Sequence, residues 1–330
     1  MVWMGVVASA PAKVILFGEH FVVYGEPAIV LAIDRRVYAT VDRRSDKCIH
    51  LKSANLNVAG YFEHDVFKIE KGDVREAKLR FEPVKFAIDR VLTTHGEEIG
   101  VNVEINSTVP VAAGLGSSAA VVAAVSAAVA ALIGVKISKQ DIFQITYEAE
   151  KLVHGTPSGV DPAVSTFGGT LLYQMDTGFK ALESEAEIPL VVGDTGVRRA
   201  TRDQVEKVRS IMNRYPEVSE PLKKAAREIV LRAIDAIKEN NLKTLGELMN
   251  INQALLCAVG VSDESLEWLI GAARKAGALG AKLTGAGGGG SMIALATDDK
   301  LEHVSEAIMR AGGRPFKAKK TDEGVKIERI

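Results

Sequence analysis

Four stretches of the chain carry residue types whose spacing can do chemistry. The first is Gly114-Leu-Gly-Ser-Ser-Ala119, which follows Pro110 and leads into a long apolar run. Glycines let a backbone close on an anion with no Cβ in the way. A helix starting there offers unpaired N–H groups and the positive end of its dipole. The hydroxyls of Ser117 and Ser118 can hold a phosphate oxygen or a cation, or one of them can simply cap the helix. No Gly-Lys-Ser/Thr follows, so this is not a Walker loop. Gly114, Gly116 and Ala119 also fit the dinucleotide pattern G-x-G-x-x-A. That pattern wants an acidic strand end about 20 residues on, where residues 139–141 read instead as a helix start.

The second stretch is Lys282-Leu-Thr-Gly-Ala-Gly-Gly-Gly-Gly-Ser291, set between two strand-like segments. A loop that closes on a ligand and exposes backbone donors explains its glycines better than a linker does. The third runs from Glu148 to Asp161 and places Glu148 and Glu150 late on a helix and Asp161 beyond a Pro/Gly turn. Phosphoryl transfer needs a cation ligand and a group that orients or deprotonates the acceptor hydroxyl, and Glu150 and Asp161 fit those roles. Glu148 and His154 read as ordinary helix surface. A glycosidase-type carboxylate pair is a formal alternative, but it leaves both glycine loops unexplained. The fourth, Pro11 to Pro27, holds one lysine, Lys13, inside an apolar strand. If buried, Lys13 needs an acid, and Asp161 is the candidate.

In this order the four segments resemble the GHMP kinases, the family of galactokinase, homoserine kinase, mevalonate kinase and phosphomevalonate kinase. The resemblance covers essentially the whole chain from Pro11 on. Two motifs are most similar to those of the mevalonate-phosphorylating members. They are Pro11-Ala-Lys-Val-Ile-Leu-Phe-Gly-Glu-His-Phe-Val-Val-Tyr-Gly25 and His154-Gly-Thr-Pro-Ser-Gly-Val-Asp161. Galactokinases carry arginine where Lys13 stands, and homoserine kinases lack the Gly18-Glu-His20 triplet. The family usually reads Pro-Arg-Ser-Thr where this chain has Arg198-Arg-Ala-Thr201, and often has cysteine at Ser291.

The resemblance implies an α+β fold of two domains with the site in the cleft between them. Residues 1–180 would form a ribosomal-protein-S5-domain-2-like half that binds ATP, and residues 181–330 a ferredoxin-like half. ATP would lie over Gly114, Leu115, Gly116, Ser117, Ser118 and Ala119, with Gly285, Gly287 and Gly288 closing on it. Ser118 and Glu150 would hold Mg²⁺. Asp161 would take the proton of the mevalonate 5-hydroxyl, and Lys13 would lower that hydroxyl's pKa and bridge to the γ-phosphate. Glu19 and His20 would bind the hydroxyl end of the substrate, and Arg199 and Thr201 would lie near its carboxylate.

These residues need elements to position them. Met4–Ala8 and Lys13–Phe17 read as two short strands, and Val37–Val41 and Val101–Ile105 alternate with period two. Pro83–Thr94 shows one apolar face. Ser118–Ile133 is apolar all round, as in a helix buried on most sides. Ser138 and Asp141 look like a capping box opening a helix to about Val153. The second half reads as helices starting at Pro221, Leu242, Glu264 and Leu301, with strands at Lys282–Leu283 and Ser291–Ala296. The tail, Arg314–Lys319 and Gly324–Glu328, reads as a final hairpin.

Composition bounds the rest. The chain has 330 residues, 47% hydrophobic and 25% charged, the profile of a folded globular protein. Net charge is −1, from 41 basic and 42 acidic residues, so there is no global field for nucleic acid or anionic membrane. Aromatics at 5% give no platform for stacking single strands. Cys48 and Cys257 build no disulfide framework, and the start has no basic n-region, so a cytoplasmic location is expected. Apolar residues on the second-half helices leave room for a homodimer face.

Overall fold

The computed structural model describes residues 5–110, 114–154, 158–198 and 201–329, with Val153 and His154 described by backbone alone. Two sheets organise it. The first holds β1 (Val6–Phe17), β2 (Ala28–Arg44), β3 (Ile49–Ser53), β4 (Val58–Glu63), β5 (Val66–Lys71), β6 (Gly100–Ser107), β7 (Thr170–Gln174) and β8 (Gly178–Ala181). The second holds β9 (Leu190–Asp194), β10 (Gly280–Thr284), β11 (Ser291–Leu295) and β12 (Arg314–Ala318). The last strand, β13 (Lys326–Arg329), returns to the first sheet and pairs with β1. The tail is therefore not a hairpin: β12 pairs β9 and β13 pairs β1, in different sheets.

The helices are α1 (Val74–Thr94), α2 (Ser117–Leu132), α3 (Lys139–His154), α4 (Val160–Phe167), α5 (Thr201–Arg214), α6 (Pro216–Lys238), α7 (Leu242–Ala258), α8 (Glu264–Lys275) and α9 (Asp298–Arg310). The first sheet is mixed, in the order β13-β1-β2-β6-β3-β4-β5, with β7 and β8 off β2, and only β3 and β6 run parallel. The second is antiparallel, in the order β10-β11-β9-β12.

Where period or caps dominate, the local reading holds. Ser138 and Asp141 exchange capping hydrogen bonds at the start of α3. The apolar α2 is the central helix: it packs on β1 and β2 and touches α1, α3 and α4. Its buried alanines, among them Ala120, Ala123, Ala124 and Ala128, let it lie close to the sheet. Two readings are corrected. The two strands expected at Met4–Ala8, of which Met4 lies outside the described residues, and at Lys13–Phe17 are replaced by one strand, β1, from Val6, which runs through Pro11 by shifting register between Pro11 and Ala12. Pro221 lies inside α6, whose first-turn proline is Pro216. No described helix is long and apolar enough to cross a membrane.

Candidate active site

β1 brings Lys13 into the interior, and the backbone N–H of Lys13 donates to the Leu115 carbonyl at 2.9 Å. That bond fastens the strand to the first glycine loop. From the other side comes Asp161, in the first turn of α4 behind the left-handed Gly159. Lys13 Nζ lies 3.1 Å from Asp161 Oδ1, with the lysine buried and the aspartate 29% exposed. Asp161 Oδ2 has no partner among the described residues and faces Gly116. A Cβ built on Gly116 would stand 2.8 Å from Lys13 Cγ and 3.4 Å from Asp161 Oδ2. Gly116 also has φ +71°, a left-handed conformation that disfavours any side chain. A glycine is thus required there on two grounds.

Gly116 is the N-cap of α2, and no side chain caps the helix, so neither serine is an N-cap. The first helical bond runs from Ala120 N–H to the Gly116 carbonyl. The amides of Ser117, Ser118 and Ala119 therefore stand outside the helix's own ladder, next to the Lys13 ammonium. A cavity of about 280 Å³ opens at this turn. Ser117 and Ser118 line its mouth, and Leu56, Phe81, Val84 and Val122 line its apolar walls.

α3 packs against α2 and α4 and supplies Glu150. Its Oε2 is buried with no hydrogen-bond partner. Burial first, then the negative charge of Asp161, push the Glu150 carboxyl up to about 8, against the opposing pull of Lys13. A shut-in carboxylate with an orphan oxygen fits a cation, which would displace the proton. Ser118 is exposed in the first turn of α2. Among the described residues no group of three or more His, Cys, Asp or Glu gathers as a metal cage. A Mg²⁺ ion suits such a sparse set, because it keeps water and phosphate oxygens as most of its ligands.

The second glycine run approaches the first. A Cβ on Gly285 would come 3.9 Å from the Gly114 carbonyl. Thr284 clips the junction: its Oγ1 accepts from Ile15 N–H at 2.9 Å and donates to the Ile15 carbonyl at 3.0 Å. The expectation of free donors along this run is corrected at Gly288. Its N–H donates to the Val261 carbonyl at 2.7 Å, and that of Gly290 donates to the Val197 carbonyl. Gly287 and Gly288 are glycines because Val261 and Gln204 press against them, leaving 2.2 Å and 2.6 Å for a Cβ. Close packing thus requires glycine at both positions.

Glu19 and His20, expected at the substrate, are turned into the protein. Glu19 forms an ion pair with Lys282 in which both side chains are wholly buried, and its Oε2 has no partner. Burial drives the Glu19 carboxyl up and the Lys282 ammonium down, each opposed by the other's charge. His20, at φ +63°, donates its Nε2–H to the Ala286 carbonyl at 2.8 Å. Burial lowers its pKa, favouring the neutral ring. Thr201 is exposed at the start of α5, and Arg199 lies outside the described residues. Sequence reasoning missed Lys282 and Thr284. The signal for Lys282 was the one that marked Lys13, a lone charge in an apolar strand.

The arrangement gathers an ammonium, two carboxylates and an uncapped helix start at the first turn of α2, the kinds of group that phosphoryl transfer to a hydroxyl needs. The family model described as GHMP kinases N terminal domain matches residues 82–169. The model described as GHMP kinases C terminal matches residues 233–314. The chain is 44% identical over 337 residues to a mevalonate kinase of Thermococcus sibiricus, covering 99% of each. It is also 44% identical to one of Pyrococcus horikoshii, covering 98% of each. It superposes on the crystal structure of L. major mevalonate kinase in complex with R-mevalonate with a TM-score of 0.82, at 27% identity and with 96% of each chain covered. Both halves match and near-complete relatives agree: the chain belongs to the GHMP kinase family.

Proposed function

We propose that this GHMP kinase transfers the γ-phosphoryl group of ATP to the 5-hydroxyl of mevalonate, giving 5-phosphomevalonate and ADP. The observation that carries the reading is the Lys13–Asp161 pair at the uncapped start of α2. It occurs in a chain whose full-length relatives are named mevalonate kinase.

In this reading the amides of Ser117, Ser118 and Ala119 receive the phosphates, and the cavity beside them receives the nucleoside. Asp161 Oδ2 accepts the proton of the attacking hydroxyl while Oδ1 stays on Lys13. The Lys13 ammonium lies beside the nucleophile and neutralises charge on the transferred group. Glu150 and the Ser118 hydroxyl are the residues that would hold Mg²⁺. When bound, the ion screens phosphate charge and makes the γ-phosphorus more electrophilic. Most of the rate enhancement then comes from positioning and charge neutralisation.

The test is product identification. Incubation with ATP, Mg²⁺ and R-mevalonate should give a new phosphomonoester in the ³¹P spectrum, coupled to the C5 protons, with ADP in equal amount. ADP without an ester, or an ester at another hydroxyl, would refute the reading.

A further inference from the structure

The helix that carries Asp161 is closed off by the end of the chain. α4 has only eight residues, too few to hold a helix alone in water, and its last carbonyls have no donor within the helix. One of them is met by the tail: Val325 N–H donates to the Thr166 carbonyl at 3.1 Å. Just beyond α4, three segments meet in a closed ring of backbone hydrogen bonds. Ala32 N–H donates to the Gly169 carbonyl at 2.9 Å, Gly169 N–H to the Thr321 carbonyl at 2.9 Å, and Thr321 N–H to the Ala32 carbonyl at 3.0 Å. Ala32 stands opposite Lys13 in the β1–β2 ladder. A frame therefore closes on itself. It runs from Lys13 across to Ala32, through the ring to the end of α4, and back along the helix to Asp161 and its contact with Lys13.

The tail is seated without slack. A Cβ on Gly324 would stand 2.0 Å from the Thr166 carbonyl oxygen, and one on Gly168 would stand 2.5 Å from Gly324 N. From the other side the buried Arg36 donates to the carbonyls of Gly324 at 2.6 Å and Glu323 at 3.2 Å, and to Ser9 Oγ at 2.7 Å. We infer that residues 321–325 are a positioning element for Asp161. By capping α4 and sealing its junction with the residue opposite Lys13, they set where the carboxylate stands against the ammonium. The inference rests on the reading of Asp161 as the group that takes the hydroxyl proton.

The experiment compares Gly324→Ala with Gly313→Ala in the full chain. The first drives a methyl against the end of α4. The second is crowded as well, but by Leu269 on α8 and Ile308 on α9, at 2.8 Å and 2.9 Å. Both should lower the urea midpoint. Only Gly324→Ala should lower kcat for mevalonate phosphorylation, roughly 10–100-fold, the cost of misplacing a reacting group by up to about 1 Å, with KM for ATP unchanged. In an Asp161→Asn background the same change should cost less than about 2-fold, because two changes that act through one group do not add. Amide hydrogen exchange reads the coupling without turnover: residues 160–167 should exchange at least about 10-fold faster in Gly324→Ala and not in Gly313→Ala. Arg36→Lys keeps the charge but loses the fork, and should show the same pattern at smaller size should Gly324→Ala not fold. Equal kcat losses in the two glycine variants, a full further loss in Asp161→Asn, or unchanged exchange in α4 would overturn the inference. Near-normal turnover of Asp161→Asn alone would mark the failure as that of the catalytic reading, and the inference would fall with it.

Discussion

Lys13 on the first strand and Asp161 on a helix nearly 150 residues later meet at 3.1 Å, and they do so over a glycine. Gly116 leaves the lysine stem no room for even a methyl group. The lysine lies against carboxylate oxygen Oδ1, and Oδ2 faces the glycine.

The first prediction concerns that free oxygen. Asp161→Asn keeps the shape but accepts no proton, and kcat should fall roughly 10²–10⁴-fold, the range for losing a general base. KM for ATP should change little, because the proposed function puts the phosphates on backbone amides rather than on Asp161. Steady-state kinetics measure both, and near-normal turnover would remove Asp161 from the chemistry.

Gly116→Ala tests the wedge. A left-handed alanine costs about 1–2 kcal/mol, and the added methyl meets Lys13 Cγ at 2.8 Å. We expect lower stability in urea and a fall in kcat, since the lysine must move. Gly96→Ala, also left-handed but with open space around its Cβ position, should lose stability alone and serves as the control.

Glu150 gives a pH signature. Its carboxyl titrates near 8 in the folded chain against 4.5 ordinarily. Between these values the folded state keeps a proton that the unfolded chain has lost. Its contribution is therefore full below about pH 4.5 and is lost as pH rises through 8. Metal-free wild type should lose stability over that window relative to Glu150→Gln, by a few °C in Tm. Parallel Tm–pH curves for the two proteins would contradict the assignment.

The buried pair of Lys282 and Glu19 ties the second sheet to the segment after β1. Lys282→Met leaves a buried carboxylate without its partner, and about 3–5 kcal/mol should be lost. Adding Glu19→Gln should recover most of it. Urea denaturation of the single and double variants reads the coupling, and an additive double variant would mean the pair is not a unit.

Much of this site was legible in the chain because its signals are local. A lone lysine in an apolar strand demanded an acid, and an all-apolar helix behind two glycines demanded burial. What escaped depends on partners far away in sequence. The tail looked like a hairpin because two short strand segments lie close together. Instead Arg36, on β2, bonds the Gly324 carbonyl at 2.6 Å and Ser9 Oγ at 2.7 Å, and the end of the chain docks beside β1. β5 was missed because it is mostly exposed and carries charge on both faces, so no apolar alternation marks it. The burial of Glu19 and His20 against a distant loop leaves no trace in their motif.

The most direct measurement of the central claim is kcat/KM from coupled ADP release with ATP and Mg²⁺, run separately with mevalonate, phosphomevalonate, galactose and homoserine. The account predicts that mevalonate exceeds the other three by at least about 10³-fold, roughly 4 kcal/mol of transition-state discrimination. A comparable or higher value for any of the other three acceptors, or ADP release that no acceptor stimulates, would contradict it.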